Sequence, residues 1–304
     1  MQQVIDQFRD AMTGAGLTPP DQIEADGQLH RFSSNGRRGD MAGWYCLHLD
    51  GLPAGVFGDW RQGFSSTWCS KPQSEMTQAD RSAIAELVKA VQAQRDAERQ
   101  QVRAQARATA QQRWDAASPC TSHPYLAAKG VQAHGLRVTA GGLLMIPVRD
   151  ASGTMQSLQT IAPDGAKRFQ TGGQMTGGYH AIGRPTTGCI VVCEGYATGA
   201  SIHAATGHAV AVAFNAGNLQ AVAQALHRKY PSLPILVAAD DDWQTEGNPG
   251  INKARQAAMA VGGQMVAPLF TCQRPAKATD FNDLHQLQGL AAVRGIFAEV
   301  EVYE

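Results

Sequence analysis

Cysteine pairs at metal-ligand spacing are missing from this sequence. Its six cysteines (Cys46, Cys69, Cys120, Cys189, Cys193 and Cys272) are scattered without one C-x-x-C, which argues against both a zinc ribbon and a disulfide framework. No run of 18 apolar residues occurs, and no basic segment followed by an apolar stretch opens the chain. No membrane association is expected, and the protein reads as reduced, soluble and cytoplasmic. Charge of one sign is also lacking, because 26 Lys and Arg balance 26 Asp and Glu. A whole-molecule field that draws in nucleic acid is therefore absent, and any such binding rests on a local patch. Internal repeats are not found. What remains is a chain of 304 residues, long enough for one large domain or two modest ones, each with a buried core.

The texture changes along the chain. Val4, Ile5, Phe8 and Met12 give residues 1 to 20 an amphipathic helical spacing, ended by Gly14, Gly16 and Pro19-Pro20. Aromatics and glycines then dominate 28–70, and the alternation from Trp44 to Leu49, followed by Asp50-Gly51, reads as a hairpin or small sheet. Thr77 and Asp80 form a helix N-terminal signature. Nothing breaks a helix from there to Ala117, and Ala, Gln, Glu and Arg are its main residues. Pro119 and His123-Pro124 stop it; a short helix over Tyr125–Lys129 ends at Gly130. Residues 143–170 read as β-structure with two Gly-containing turns.

Beyond 188 the pattern becomes apolar strands separated by helices. Cys189–Cys193, His208–Phe214, Pro234–Asp240 and Gln264–Leu269 are the four strands, the mark of βαβ units and a parallel sheet covered on both faces. The expected division is 1–75, a small β-rich module; 76–118, a long basic helix or linker; 119–187, a basic α+β subdomain; and 188–304, an α/β domain.

In an open parallel sheet, functional groups gather at the carboxyl edge of the strands. Glu194 follows the first strand directly, and Asp240, Asp241 and Asp242 follow the third. If those strands are neighbours, the carboxylates share one crevice, with Asp240 and Asp242 on one side and Asp241 turned away. Such hard oxygen ligands suit Mg²⁺ or Mn²⁺. Acidic residues after strands also serve as helix caps, and Asp280, before Phe281-Asn282-Asp283, can be either a metal support or an N-cap. Gly250, ahead of Lys253 and Arg255, marks a helix N-terminus at the same edge, able to receive a phosphate with Lys253 assisting.

Cys193-Glu194-Gly195, one βα unit, then Ala239-Asp240-Asp241-Asp242 resembles the Toprim domain shared by bacterial-type primases, type IA and II topoisomerases and some nucleases. The resemblance implies a Rossmann-like parallel sheet and catalytic, metal-holding roles for Glu194, Asp240 and Asp242, with Asp280 as a further ligand. Lys277–Leu284 is similar to the acidic loop of primase-type members, with two residues between Lys277 and Asp280. Leu144–Asp150 and Ala166-Lys167-Arg168-Phe169 resemble the basic subdomain that precedes Toprim in bacterial primases. That likeness implies a nucleotide- or template-binding role for Lys167 or Arg168, joined by Lys129, Arg149 and Lys253. His123–Leu126, Lys129-Gly130 and the N-terminal aromatics resemble primases of conjugative plasmids and phages. The implied activity is metal-dependent synthesis of short RNA primers on single-stranded DNA from ribonucleoside triphosphates, with a replicative helicase or a plasmid or phage replication protein as partner. A Toprim nuclease would use the same carboxylates, and a non-catalytic single-strand-binding module is the third alternative. Unlike cellular bacterial primases, the chain shows no zinc ribbon. His30, Cys46, His48 and Cys69 have the wrong spacing for one, so zinc is not expected.

Two surfaces stay open. Arg95, Arg99, Arg103 and Arg107 recur every four residues and drift by only about 40° per step. They form one basic stripe, either a phosphate-contacting rail or simply a solvated face. Trp44, Tyr45, Phe57, Trp60 and Trp68 either stack on bases or fill the core of a small sheet.

Overall fold

The computed structural model describes residues 1–186, 188–271 and 273–300; Cys272 lies outside the described residues. The chain forms two compact units that divide between Gln101 and Val102.

The first unit opens with α1 (Gln2–Gly14) and continues into an antiparallel sheet of β1 (His30–Phe32), β2 (Gly43–His48), β3 (Ala54–Asp59) and β4 (Phe64–Cys69), in that spatial order. Phe8 and Met12, four apart on α1, are fully buried against Tyr45, Leu47 and Phe57 of the sheet. Trp44, Tyr45 and Phe57 are core residues: so small a sheet needs its large rings inside. The long helix α2 (Gln78–Asp115) starts with a reciprocal cap. The Thr77 N–H donates to Asp80 (2.8 Å) and the Asp80 N–H donates to the Thr77 hydroxyl (3.1 Å).

The arginine stripe on α2 is not one uniformly exposed rail. Arg95 is only half-exposed, its guanidinium 3.9 Å from the Trp44 ring centroid and 4.5 Å from that of Trp60. Arg99 stands 5.9 Å from Trp60. Both serve the aromatic cluster of the first unit. In the second unit Arg107 donates to Gln156 (2.7 Å), and Arg103 makes no hydrogen bond or ion pair among the described residues.

The second unit has two sheets. β5 (Ser118–Pro119), α3 (Pro124–Lys129), β6 (Arg137–Val138), β7 (Leu144–Arg149), β8 (Met155–Ile161) and β9 (Lys167–Phe169) form the first, all antiparallel in the order β5-β6-β7-β8-β9. The end of α2 covers it, with Ala110 and Trp114 packed on Met145, Met155 and Leu158. α3 is closed at both ends: the His123 ring accepts the Tyr125 N–H, and Gly130 takes the left-handed conformation at φ 61°.

The second sheet contains β10 (His180–Ile182), β11 (Ile190–Cys193), α4 (Tyr196–Thr206), β12 (Ala209–Val212), α5 (Leu219–Lys229), β13 (Ile235–Ala238), α6 (Pro249–Met259), β14 (Gln264–Val266) and finally α7 (Phe281–Ala298). Its order is β10-β12-β11-β13-β14. The four predicted strands are parallel, as expected, and a fifth strand, β10, joins them antiparallel beside β12. Alternation along β11 explains the two layers. Val191 and Cys193 face the core shared with α4 and α7, whereas Ile190 and Val192 face α5 and α6. No helix among the described residues is long and apolar enough to cross a membrane.

Candidate active site

β11 and β13 are hydrogen-bonded neighbours, so the residues after them reach the same edge of the sheet. Glu194 leaves β11 half-buried and accepts a hydrogen bond from the Ala216 backbone. Burial and the nearby Asp242 push its carboxyl above the usual range, against the pull of Lys167. Asp240 is the extreme case. Burial, then Asp280, Glu194, Asp242 and Asp283, raise its carboxyl from 3.8 to about 8, and its Oδ1 is buried with no hydrogen-bond partner. A carboxylate cluster with an orphaned oxygen lacks a counter-charge.

The loop after β13 sorts its three aspartates. Asp241 turns away to Arg274, whose Nη1 lies 2.6 Å from Oδ2, and to the Asn248 amide at 2.5 Å. Asp242 accepts the Gly250 N–H at 3.1 Å, and its own N–H donates to Asn248 Oδ1 at 3.0 Å. One N–H at the N-terminus of α6, that of Gly250, is thus given to Asp242. Lys253 points from this helix into solvent with no hydrogen bond or ion pair among the described residues. Gly250 also permits the close approach, because a Cβ there would lie 2.2 Å from the Asp240 carbonyl oxygen. Gly250→Ala is therefore expected to cost about 1–3 kcal/mol and several degrees of melting temperature, and to weaken stabilisation by Mg²⁺. Thermal unfolding with and without Mg²⁺ checks this; a variant that melts like the parent in both would refute the tight packing.

Of the two roles left open by the sequence for Asp280, the structure shows one, the N-cap. Asp280 caps α7, accepting the Asp283 N–H at 2.8 Å in a reciprocal capping box, and it accepts the Thr198 hydroxyl at 2.9 Å. Burial and Asp283 raise its carboxyl, and it is the leading charged neighbour of Asp240. Among the described residues, the one trio of ligand atoms that all lie within 4.8 Å of one another is elsewhere, at Glu24, Asp26 and His30. There Asp26 and His30 form a surface pair at 2.8 Å.

Cations reach the carboxylates from the neighbouring sheet. On β9, Lys167 and Phe169 share one face and Arg168 takes the other. Lys167 lies 5.6 Å from the Tyr125 ring centroid, and Phe169 meets Phe214 edge-on at 6.0 Å. Phe214 donates its N–H to the Glu194 carbonyl (2.8 Å), so this face of β9 looks onto the cluster. Lys167 is exposed overall, yet it loses part of its hydration where it sits. That desolvation and then Lys129 lower its pKa, while Asp280, Asp240 and Glu194 act in the opposite direction. Lys129 stands 4.0 Å from Asp283. Arg149 belongs to a different environment: its guanidinium donates to the Gly153 carbonyl (3.0 Å) and lies 5.9 Å from the Trp114 ring. Its contacts are with Gly153 and Trp114 and not with the carboxylates.

Four residues of the site have no role assigned by sequence alone. Tyr125 underlies Lys167 with its hydroxyl buried and unpartnered. Thr198 holds Asp280, Asn248 caps α6, and Arg274 braces the aspartate loop. Thr198, on the first turn after Glu194-Gly195, had a positional signal; Arg274 had none.

Residues 189–291 match the family model described as the Toprim domain. This segment is a Toprim domain. The chain as a whole is 37% identical over 280 residues to the DNA primase TraC of Escherichia coli, covering 87% of this chain and 26% of that protein. It is 38% identical over 296 residues to a second Escherichia coli DNA primase TraC, covering 92% and 20% respectively. The chain thus spans about a quarter or less of the length of these curated relatives. Among solved structures it resembles the primase fragment of the bacteriophage T7 primase-helicase protein, with 15% identity, 59% of this chain and 74% of that chain covered, and a TM-score of 0.44. Glu194, Asp240, Asp242 and Asp280 all lie within the matched segment.

Proposed function

We propose that this chain is the catalytic part of a DNA primase that joins ribonucleoside triphosphates into short primers on single-stranded DNA, in the replication of a plasmid or phage. The observation that carries the reading is the gathering of Glu194, Asp240, Asp242 and Asp280 at one sheet edge, with Asp240 Oδ1 buried and unpartnered. The likeness over 87% and 92% of the chain to relatives named as primases supports it.

The donor set fits a divalent cation: hard carboxylate oxygens, one of them buried and unpartnered, raised by mutual repulsion. Glu194, Asp240 and Asp242, with Asp280 behind them, would hold Mg²⁺ or Mn²⁺, which when bound neutralises phosphate charge and lowers the pKa of an attacking hydroxyl. The remaining work falls to the chain's own side chains. Lys167 holds the triphosphate or the primer phosphate over the carboxylates, and Tyr125 fixes the lysine from beneath. Arg168, on the opposite face of β9, is free for the template backbone. A 3′-oxygen attacks the α-phosphorus, and the bond to pyrophosphate breaks.

The test is incubation of the protein with labelled ribonucleotides, Mg²⁺ or Mn²⁺ and unprimed circular single-stranded DNA, with Asp240→Ala as control. Short labelled products absent from the control are expected. Metal-dependent shortening of the DNA without products would replace the reading with a Toprim nuclease, and binding without either activity would leave a single-strand-binding module.

A further inference from the structure

The loop that presents Asp240 and Asp242 also presents an indole. Trp243 is 46% exposed and is the only exposed tryptophan among the described residues. It belongs to none of the apolar cores. Its position is not loose. The Trp243 N–H donates to the Asp241 carbonyl (2.8 Å), Thr245 N–H to the Asp242 carbonyl (2.7 Å) and Asn248 N–H to the Thr245 carbonyl (2.9 Å), so successive turns fix the loop.

Arg274 supports the same loop from the side. All three of its guanidinium nitrogens are occupied: Nε on the Ala278 carbonyl (2.8 Å), Nη1 on Asp241 Oδ2 (2.6 Å) and Nη2 on the Asp241 carbonyl (2.9 Å). Three of its five N–H donors are committed in this way, and what it offers the rings is its flat face. That face lies 5.2 Å from the Trp243 ring centroid and 4.5 Å from that of Phe270. A guanidinium locked by three backbone and carboxylate contacts holds an indole in place. The indole's remaining surface is left in water, one residue from a metal-type carboxylate. Apart from the Arg274 contact, this ring has no partner in the apolar cores of its unit.

We propose that Trp243 is a stacking platform for a nucleobase of a nucleotide or strand bound beside Glu194, Asp240 and Asp242, which would hold a divalent cation to offset its phosphate charge. The inference rests on the polynucleotide reading given above. The base belongs either to a bound single strand or to a nucleoside triphosphate, and the chemistry is the same: a π-face laid on an indole backed by a cation. Trp243 positions the base; Lys167 addresses the phosphates, and the carboxylates hold the cation.

The experiment follows tryptophan emission of the whole protein in Mg²⁺. The probes are a short oligothymidylate, an abasic strand of the same length and ATP, each added separately to the parent, Trp243→Phe and Trp243→Ala. The exposed position of Trp243 lets these variants fold, which a melting curve verifies. Oligothymidylate is expected to quench the parent more than the abasic strand does. Trp243→Ala should abolish that quench and bind the base-bearing probe about 5- to 150-fold more weakly, while Trp243→Phe retains most of the affinity. Quenching by oligothymidylate assigns the platform to the strand, and quenching by ATP alone assigns it to the nucleotide. Unchanged affinity of Trp243→Ala for both overturns the proposal. If the parent makes primers while Trp243→Ala binds and synthesises normally, the stacking site falls and the primase reading stands. If the parent makes none but its emission responds to the base, only the primase reading falls.

Discussion

Asp240→Asn is expected to abolish primer synthesis and, in metal-free buffer at alkaline pH, to make the protein more stable than its parent. Both effects have the same origin. Asp240 sits among Asp280, Glu194, Asp242 and Asp283 with a buried, unpartnered oxygen, and its carboxyl is raised to about 8. A group whose folded pKa exceeds its unfolded value favours folding most when protonated. Its contribution is complete below about pH 4 and is lost as pH climbs through about 8. Every tenfold change in proton affinity corresponds to about 1.4 kcal/mol, so the charged cluster withholds several kcal/mol from the metal-free fold. Asparagine removes one charge and keeps the shape. At pH 4 and below the two proteins should melt nearly together. At pH 9 the variant should melt about 5–10 °C higher, at roughly 2–4 °C per kcal/mol for a domain of this size. Saturating Mg²⁺ should reverse the order, because it stabilises only a protein able to bind it. A variant that melts below its parent at pH 9 without metal would contradict the frustrated cluster, whatever its activity.

The second large effect separates two adjacent cations. Lys167→Ala should lower primer synthesis by about 100- to 1,000-fold, the usual scale for removing one preorganised charge from a phosphate in a shielded site. Arg168→Ala should act mainly on strand affinity and leave the rate at saturating DNA within several-fold of the parent. The reason is the pleat: the two residues leave β9 on opposite faces, and it is Lys167 that senses Asp280, Asp240 and Glu194. The loss in Lys167→Ala should persist at saturating template and nucleotide, as expected when an interaction of the transition state is removed. Rate against substrate concentration decides. Reversed phenotypes would place Arg168 in the site and mean that β9 is shifted by one residue in its pairing.

Much of the carboxylate geometry was legible because short apolar runs such as Ile190–Cys193 and Ile235–Ala238 identify buried strands, and a buried strand dictates where its next residue emerges. The sense of Asp240 and Asp242 against Asp241 followed from alternation alone. What escaped the sequence was tertiary. His180-Ala181-Ile182 has no periodic signal, and its strand character comes from pairing with β12. Arg149 is as charged as Lys167, and only its burial near Trp114 shows that it is engaged in packing. The spacing of Arg95 to Arg107 defines a stripe but not what the stripe faces. For Lys253 the helix terminus was foreseen, but not that Asp242, eight residues back from Gly250, would fold onto its free N–H group.

β9 is three residues long and the last strand of its sheet, with a hydrogen-bonded neighbour on one side only. Local opening is least costly where a segment has few buried contacts and one row of ladder bonds. Lys167 therefore rides on an edge of its sheet, where opening costs little. On the proposed reading, the ordering of that edge would be completed by an arriving polyphosphate, which would make the substrate itself a structural element.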